Sequence, residues 1–375
     1  MSYKNLIALL VVVALIIVAI VFLESKKSTP LGSGGDEELP LPLISLEEGQ
    51  ISLDKTKRYE QAKEITTPDG FINSEPFKLA DFVGKKVILL DIWTYSCINC
   101  QRTIPRINEW QEKYADKGLL IVGLHTPEFE FEKDIANVRE AVKKFGIKYP
   151  VVLDNDYSTW RAYRNQYWPR KYLIDIDGFI VYDHIGEGGY AETEGKIQDL
   201  LEERAKKLGE KVDVIGTVTG EEGDGITYRI SPETYFGALR NTLLANGLSR
   251  IVGVQELQEP KRVEADRLYL VGKWNMGDEY AESVSGAAKI IYRFRGKNVY
   301  FVARADSPIK ISVLRDGVPV KAEAGADVKV SGAKSEVTIG ESRLYKLIEE
   351  MESGEHLLEL IIPASGLQAF TFTFG

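Results

Sequence analysis

The sequence predicts an open α/β sheet followed by an all-β sandwich, both behind a single membrane-spanning helix. Three observations carry this reading. Buried strands alternate with amphipathic helices between Lys86 and Leu208, short β-prone stretches take over after Lys211, and Leu6 to Leu23 is an unbroken apolar run. A chain of 375 residues has room for roughly two or three folded units. The net charge is −9 with no dense Lys/Arg stripe, which argues against nucleic-acid binding. Two cysteines exclude a disulfide-rich scaffold.

The apolar run is long enough to cross a bilayer at about 1.5 Å per residue. It also exceeds the apolar core of a cleaved signal peptide, roughly 7–15 residues. Residues 1–23 are therefore read as an uncleaved anchor, with a cleaved signal and a buried helix as the alternatives. Lys4 before the run and Lys26 and Lys27 after it do not orient it. Residues 24–45, with Ser28, Pro30, Gly32, Ser33, Gly34 and Gly35, read as a flexible linker.

Residues 46–210 form the α/β unit. Thr67-Pro68-Asp69-Gly70 reads as a turn. A buried strand is expected over 86–93, a helix over 98–116 and a second buried strand over 118–125. Residues 134–145 read as an amphipathic helix with Ile135, Val138, Val142 and Phe145 on one face. A short strand at 151–153 precedes a helix near 158–164. Residues 171–176 and 179–184 then form a hairpin about Asp177-Gly178, and a helix over 190–208 closes the unit. The alternation implies a largely parallel sheet finished by that antiparallel hairpin.

Residues 211–375 carry β-prone stretches at 289–294, 298–304, 309–314, 328–330, 342–347, 356–362 and 368–374. Turn signals stand at Arg295-Gly296-Lys297 and Asp316-Gly317. Such spacing predicts an antiparallel sandwich or jelly roll. Tyr269, Trp274, Tyr280 and Tyr292 are candidates to hold a glycan or a partner, although aromatics at alternating strand positions are more often core residues.

The chemistry concentrates at Cys97 and Cys100, the only two cysteines, placed between an apolar strand and a helix. A thiol at a helix start feels the positive end of the dipole and unpaired N–H groups, both of which favour the thiolate. Cys97 is the expected nucleophile, and Cys100, one turn later, is placed to resolve a mixed disulfide. A zinc site needs two more ligands, and His125, His184 and His356 show no paired spacing. Asp91 ends the apolar run Val87-Ile88-Leu89-Leu90. A buried lone carboxylate takes up a proton, so Asp91 is a candidate proton acceptor for Cys100. Pro105 is expected to kink or end the helix. Trp93 is expected to pack under the site. Trp168-Pro169 precedes a strand, and X–Pro bonds are the ones that turn cis.

These residues resemble thioredoxin. Asp91, Trp93, Cys97-x-x-Cys100, Pro105 and Pro169 before a hairpin stand in that family's order. The inserted strand and helix between Leu119 and Pro150 resemble its membrane-tethered TlpA/ResA branch. WTYSCINC (93–100), HTPEFEFEKD (125–134), LDNDYSTWRAY (153–163), YWPRKYLIDIDG (167–178) and GEGGYAETE (186–194) resemble the soluble part of DipZ-type proteins. So do SPETYFG (231–237) and QAFTFTFG (368–375). The likeness runs from about Glu64 to Gly375.

The resemblance implies a thioredoxin-like fold whose Cys97–Cys100 disulfide is the redox centre, with no separate cofactor. It implies that Asp91 is the buried family aspartate and that Pro169 is a cis-proline facing the dithiol beside Trp168. The C-terminal region is implied to be a carbohydrate-binding-module-like sandwich, and the soluble parts to be extracytoplasmic. DipZ-type proteins usually add a multi-span CcdA-like domain that feeds electrons across the membrane. The single apolar run here implies a separate membrane electron donor of CcdA type, or an oxidising role. The expected function is thiol:disulfide exchange on protein substrates, in the reducing direction. A dithiol oxidase or isomerase, a thiol peroxidase and a glycan- or partner-binding protein are the alternatives.

Overall fold

The computed structural model describes residues 55–211 and 229–375. The anchor and linker expected over 1–45 lie outside the described residues. Among those described, no helix is long and apolar enough to cross a membrane.

The α/β region contains strands β1 (Glu60–Gln61), β2 (Gly70–Ile72), β3 (Val87–Trp93), β4 (Leu119–His125), β5 (Val151–Leu153), β6 (Arg170–Ile174) and β7 (Phe179–Ile185). Its helices are α1 (Ile98–Tyr114), α2 (Ile135–Lys144), α3 (Ser158–Ala162) and α4 (Tyr190–Leu208). The strands form one sheet in the order β1-β7-β6-β3-β4-β5-β2. β3 is apolar at nearly every position because both of its faces are covered. Val87, Leu89 and Trp93 pack with Ile104 and Ile107 of α1, Val138 of α2 and Ile197 of α4. Ile88, Leu90 and Ile92 pack on the other face with Leu79, Tyr163 and Tyr172.

The sheet is mixed, not largely parallel. Only β3–β4 and β4–β5 run parallel, while β3–β6, β6–β7, β7–β1 and β5–β2 are antiparallel. After α3 the chain re-enters the sheet beside the C-terminal end of β3, with Arg170 opposite Ile92. It can only run back along β3 from there. That reversal sets Lys171 opposite Asp91. Pro105 does not end α1, which continues for two more turns to Tyr114 with the proline exposed on its outer face. A proline whose ring faces solvent removes one intrahelical bond without displacing core.

The β-rich region is an eleven-stranded antiparallel assembly. Its spine is two long strands, Ala288–Arg304 and Arg343–Ile362, paired from Ala288 opposite Ile362 to Ala303 opposite Arg343. The turn expected at Arg295-Gly296-Lys297 is a bulge inside the first of these. The register slips between Gly296 and Asn298, with Gly296 at φ +150°. A glycine can take that backbone conformation without strain, so the strand bends there without ending. Tyr269, Trp274 and Tyr292 are buried, and Tyr280 packs its ring 5.3 Å from that of Phe370. The first three serve the core, and Tyr280 is half-buried at its edge.

The two regions share apolar packing. Phe370 meets Phe129 and Phe131 at ring distances of 5.1 and 4.9 Å. Tyr300, Val302 and Leu344 belong to the same buried cluster as Trp93 and Ile98. At the opposite end of the sheet Asp175, Asp177 and Glu203 converge as a metal site might, but the Lys55 ammonium stands among them at 2.7, 2.9 and 2.5 Å.

Candidate active site

β3 delivers Asp91 and Trp93 to the C-terminal edge of the sheet, and the next turn places Cys97 at the N-cap of α1. Cys97 has extended backbone (φ −76°, ψ 119°), and the Cys100 backbone N–H donates to its Sγ at 3.4 Å. Sulfur here stands where an ordinary cap has a Ser, Thr or Asp oxygen. Cys97 is half-buried and Cys100 fully buried, and both are free thiols. The Cys97 thiol also faces the Trp168 carbonyl at 3.9 Å.

Burial pushes the Cys100 thiol well up, and the neighbouring Cys97 adds to the effect. Cys100 therefore needs a base, and Asp91 is buried on the same face of β3. Burial raises the Asp91 carboxyl to about 7, against the opposing pull of the Lys171 ammonium. Oδ1 of Asp91 has no hydrogen-bond partner, so desolvation acts on it almost unrelieved. Lys171 is buried and pushed down by that burial, with Asp91 and Cys100 pulling the other way. Its Nζ donates to the Gly186 carbonyl at 3.1 Å. The dithiol thus sits beside a carboxyl that titrates near neutrality and an ammonium whose pKa burial lowers.

A second buried carboxylate holds the loop that presents Cys97. Glu132 accepts from Ser96 N (3.1 Å), Ser96 Oγ (2.6 Å), Glu128 N (2.6 Å) and Phe129 N (3.0 Å). It ties the residue before the nucleophile to the 128–129 turn. His125 lies alongside, its ring 5.1 Å from that of Trp93 and stacked on Tyr95 at 5.7 Å. Burial lowers its pKa to about 3, so it stays neutral.

The Trp168–Pro169 bond is cis. Pro169 is buried, and its carbonyl accepts from Gly186 N at 2.8 Å. The Trp168 indole donates to the Thr126 carbonyl at 3.0 Å and lies 4.3 Å from the Trp160 ring. Cys97 and Trp168 line a groove of about 480 Å³ whose other wall comes from the β-rich region, with Glu233, Tyr235, Arg240 and Thr373. Pro105 lies outside it.

Residues 59–201 match the family model described as Redoxin, and residues 231–375 match the one described as Thioredoxin like C-terminal domain. The thiol-disulfide oxidoreductase ResA of Bacillus thuringiensis is 33% identical over 129 residues, 34% of this chain and 71% of its own length. The chain belongs to the thioredoxin-like thiol-disulfide oxidoreductases. Another member, YkuV of Bacillus subtilis, is 29% identical over 140 residues, 37% of this chain and 93% of its own. Protein DipZ of Mycobacterium tuberculosis is 34% identical over 340 residues, 89% of this chain, and the match spans 45% of DipZ.

Against this oxidoreductase background the structure brings Cys97, Cys100, Asp91, Trp93 and Trp168 together, with Pro169 directly behind Trp168. Sequence reasoning missed Lys171, Glu132 and the wall from the β-rich region. A signal for Lys171 existed: alternation along Lys171-Tyr-Leu-Ile174 puts it on the face of Leu173, which is buried. Glu132 sits in an acidic run that reads as surface, and nothing local to 231–240 marks it as part of a thiol site.

Proposed function

We propose that this protein is a membrane-anchored, extracytoplasmic thiol:disulfide oxidoreductase that reduces protein disulfides. The observation that carries the mechanism is the pairing of a half-exposed, helix-capping Cys97 with a buried, protonated Cys100 beside Asp91. The Cys97 thiolate attacks one sulfur of a substrate disulfide, forms a mixed disulfide and expels the other sulfur as a thiolate. Asp91 takes the Cys100 proton, with Lys171 steadying the carboxylate before the transfer. The Cys100 thiolate then attacks Cys97 Sγ and expels the second substrate sulfur. Two electrons pass to the substrate, and Cys97–Cys100 is left as a disulfide. Trp93 packs beneath the dithiol, while Trp168 and Pro169 shape the substrate side.

The apolar run 6–23 supports the anchor. Regeneration then needs a membrane dithiol donor of the CcdA type. The bend of Ala288–Arg304, which pairs with 268–271 at one end and 368–374 at the other, supports a sandwich architecture for the β-rich region.

Cys97→Ser is expected to abolish reduction of insulin disulfides, and Cys100→Ser to accumulate mixed disulfides with substrate. Full turnover by Cys97→Ser would defeat the mechanism. Direction is read from the reduction potential: about −270 mV marks a reductant and about −120 mV an oxidant.

A further inference from the structure

The wall that the β-rich region places across the groove has a consequence for what can reach Cys97. Tyr235 and Glu233, from the edge strand 234–235 and its lead-in, share a face with Thr371 and Thr373 of the strand beside it. This face is braced. The Tyr235 hydroxyl lies 2.8 Å from Glu128 Oε1 and 2.6 Å from Glu233 Oε2. Arg240 donates to Glu128 at 2.8 Å and stacks over the Tyr235 ring at 3.7 Å. Thr373 donates to Glu233 at 3.2 Å.

The two regions are also pinned by residues outside the groove lining. Arg102 donates to the Tyr300 hydroxyl, the Tyr95 hydroxyl to the Ser342 carbonyl, and Glu130 N to Glu279. Beneath them the Phe129–Phe131–Phe370 cluster fills the junction. Opening the groove by swinging one region away would break all of these contacts together.

A folded protein docking face to face needs about 800 Å² of matching surface on each side. Cys97 is recessed in a groove of about 480 Å³, a size that suits small or strand-like ligands. The two walls differ in kind. The α/β side mixes Tyr167, Trp168 and Ile185 with the polar Asn99 and Gln166, whereas carboxylate, hydroxyl and guanidinium groups line the other.

We infer that Tyr235 and Arg240, contributed by the β-rich region, are specificity residues that shut out disulfides on the face of a folded domain. This rests on Cys97 being the attacking thiol.

The test uses the reduced protein and one carrier protein labelled with thionitrobenzoate through a disulfide. The label sits either on a cysteine in a flexible tail or on a cysteine in a rigid sheet face. Glutathione reacting with both carriers sets the intrinsic reactivity of each. The expected result is a tail-over-face preference about a hundredfold beyond that of glutathione, the scale on which misplacing a reacting group is felt. Tyr235→Ala/Arg240→Ala should cut that preference about tenfold by speeding the face substrate. Thr373→Trp, which fills the groove, should slow the tail substrate. A preference equal to that of glutathione, or one that Tyr235→Ala/Arg240→Ala leaves unchanged, overturns the inference. Loss of activity on both carriers, or equal activity in Cys97→Ser, would instead fault the assignment of the nucleophile.

Discussion

In the α/β region ionisable side chains are buried outright. Asp91, His125, Glu132 and Lys171 are each at most 1% exposed. Among the described residues of the β-rich region the buried polar side chains are Ser231, Thr234, Asn241, Ser283, Ser335 and Thr371, every one of them neutral. Both regions bury large apolar cores, so the contrast does not come from size. Burying a charge costs several kcal/mol unless it is paired or bonded. The α/β region bears that cost where thiol chemistry needs groups that titrate or accept strongly. Among the described residues, the core of the β-rich region carries no such groups.

Three substitutions press on this contrast, from the strongest effect to the weakest. Glu132→Gln turns an acceptor of four hydrogen bonds into a group that brings its own N–H into the cluster. It should cost about 3–5 kcal/mol of stability and slow alkylation or disulfide exchange at Cys97. Thermal unfolding and iodoacetamide kinetics measure the two effects. If both stay at wild-type values, buried charge in this region is unconnected to the site. Phe370→Ala works through packing alone. It empties space between Phe129, Phe131 and Tyr280 and should cost about 3 kcal/mol, with no change in the pH dependence of thiol reactivity. A shifted pH profile would mean that the neutral region reaches into the chemistry.

Asp91→Asn should stabilise the fold. The folded carboxyl titrates near 7 and the unfolded one near 3.8. The proton-linked stability is fully present below pH 3.8 and is lost as pH rises through 7. Asn at this position should therefore gain about 1–3 kcal/mol at pH 8 and almost nothing at pH 4, with the lost attraction to Lys171 holding the gain down. The same variant should lose the rise in resolving rate through pH 7, seen as a mixed disulfide that persists. Equal stability changes at pH 4 and pH 8 would count against a buried, titrating Asp91.

Much of this was legible in the sequence because it is local. The apolar runs of β3 and β4, the amphipathic α2, the Asp177-Gly178 hairpin and the paired cysteines all announce themselves within a few residues. The direction of β6 did not, because it depends on which end of the sheet the chain re-enters, and with it went the partnership of Lys171 and Asp91. Gly296 carries the same local signal whether it turns a chain or bulges a strand. Only the partner strand 343–362, distant in sequence, decides between them. The groove wall is the extreme case: Tyr235 and Cys97 are brought together by packing across two regions.

The Lys55 clasp joins separate pieces of the frame through one ammonium. Asp175 follows β6 at the end of the sheet remote from Cys97, about 20 Å away along the length of β3. Asp177 sits in the turn before β7 and Glu203 lies on α4. The clasp therefore fastens the hairpin to the closing helix at the far end of the sheet, where it adds no charge to the surroundings of the dithiol.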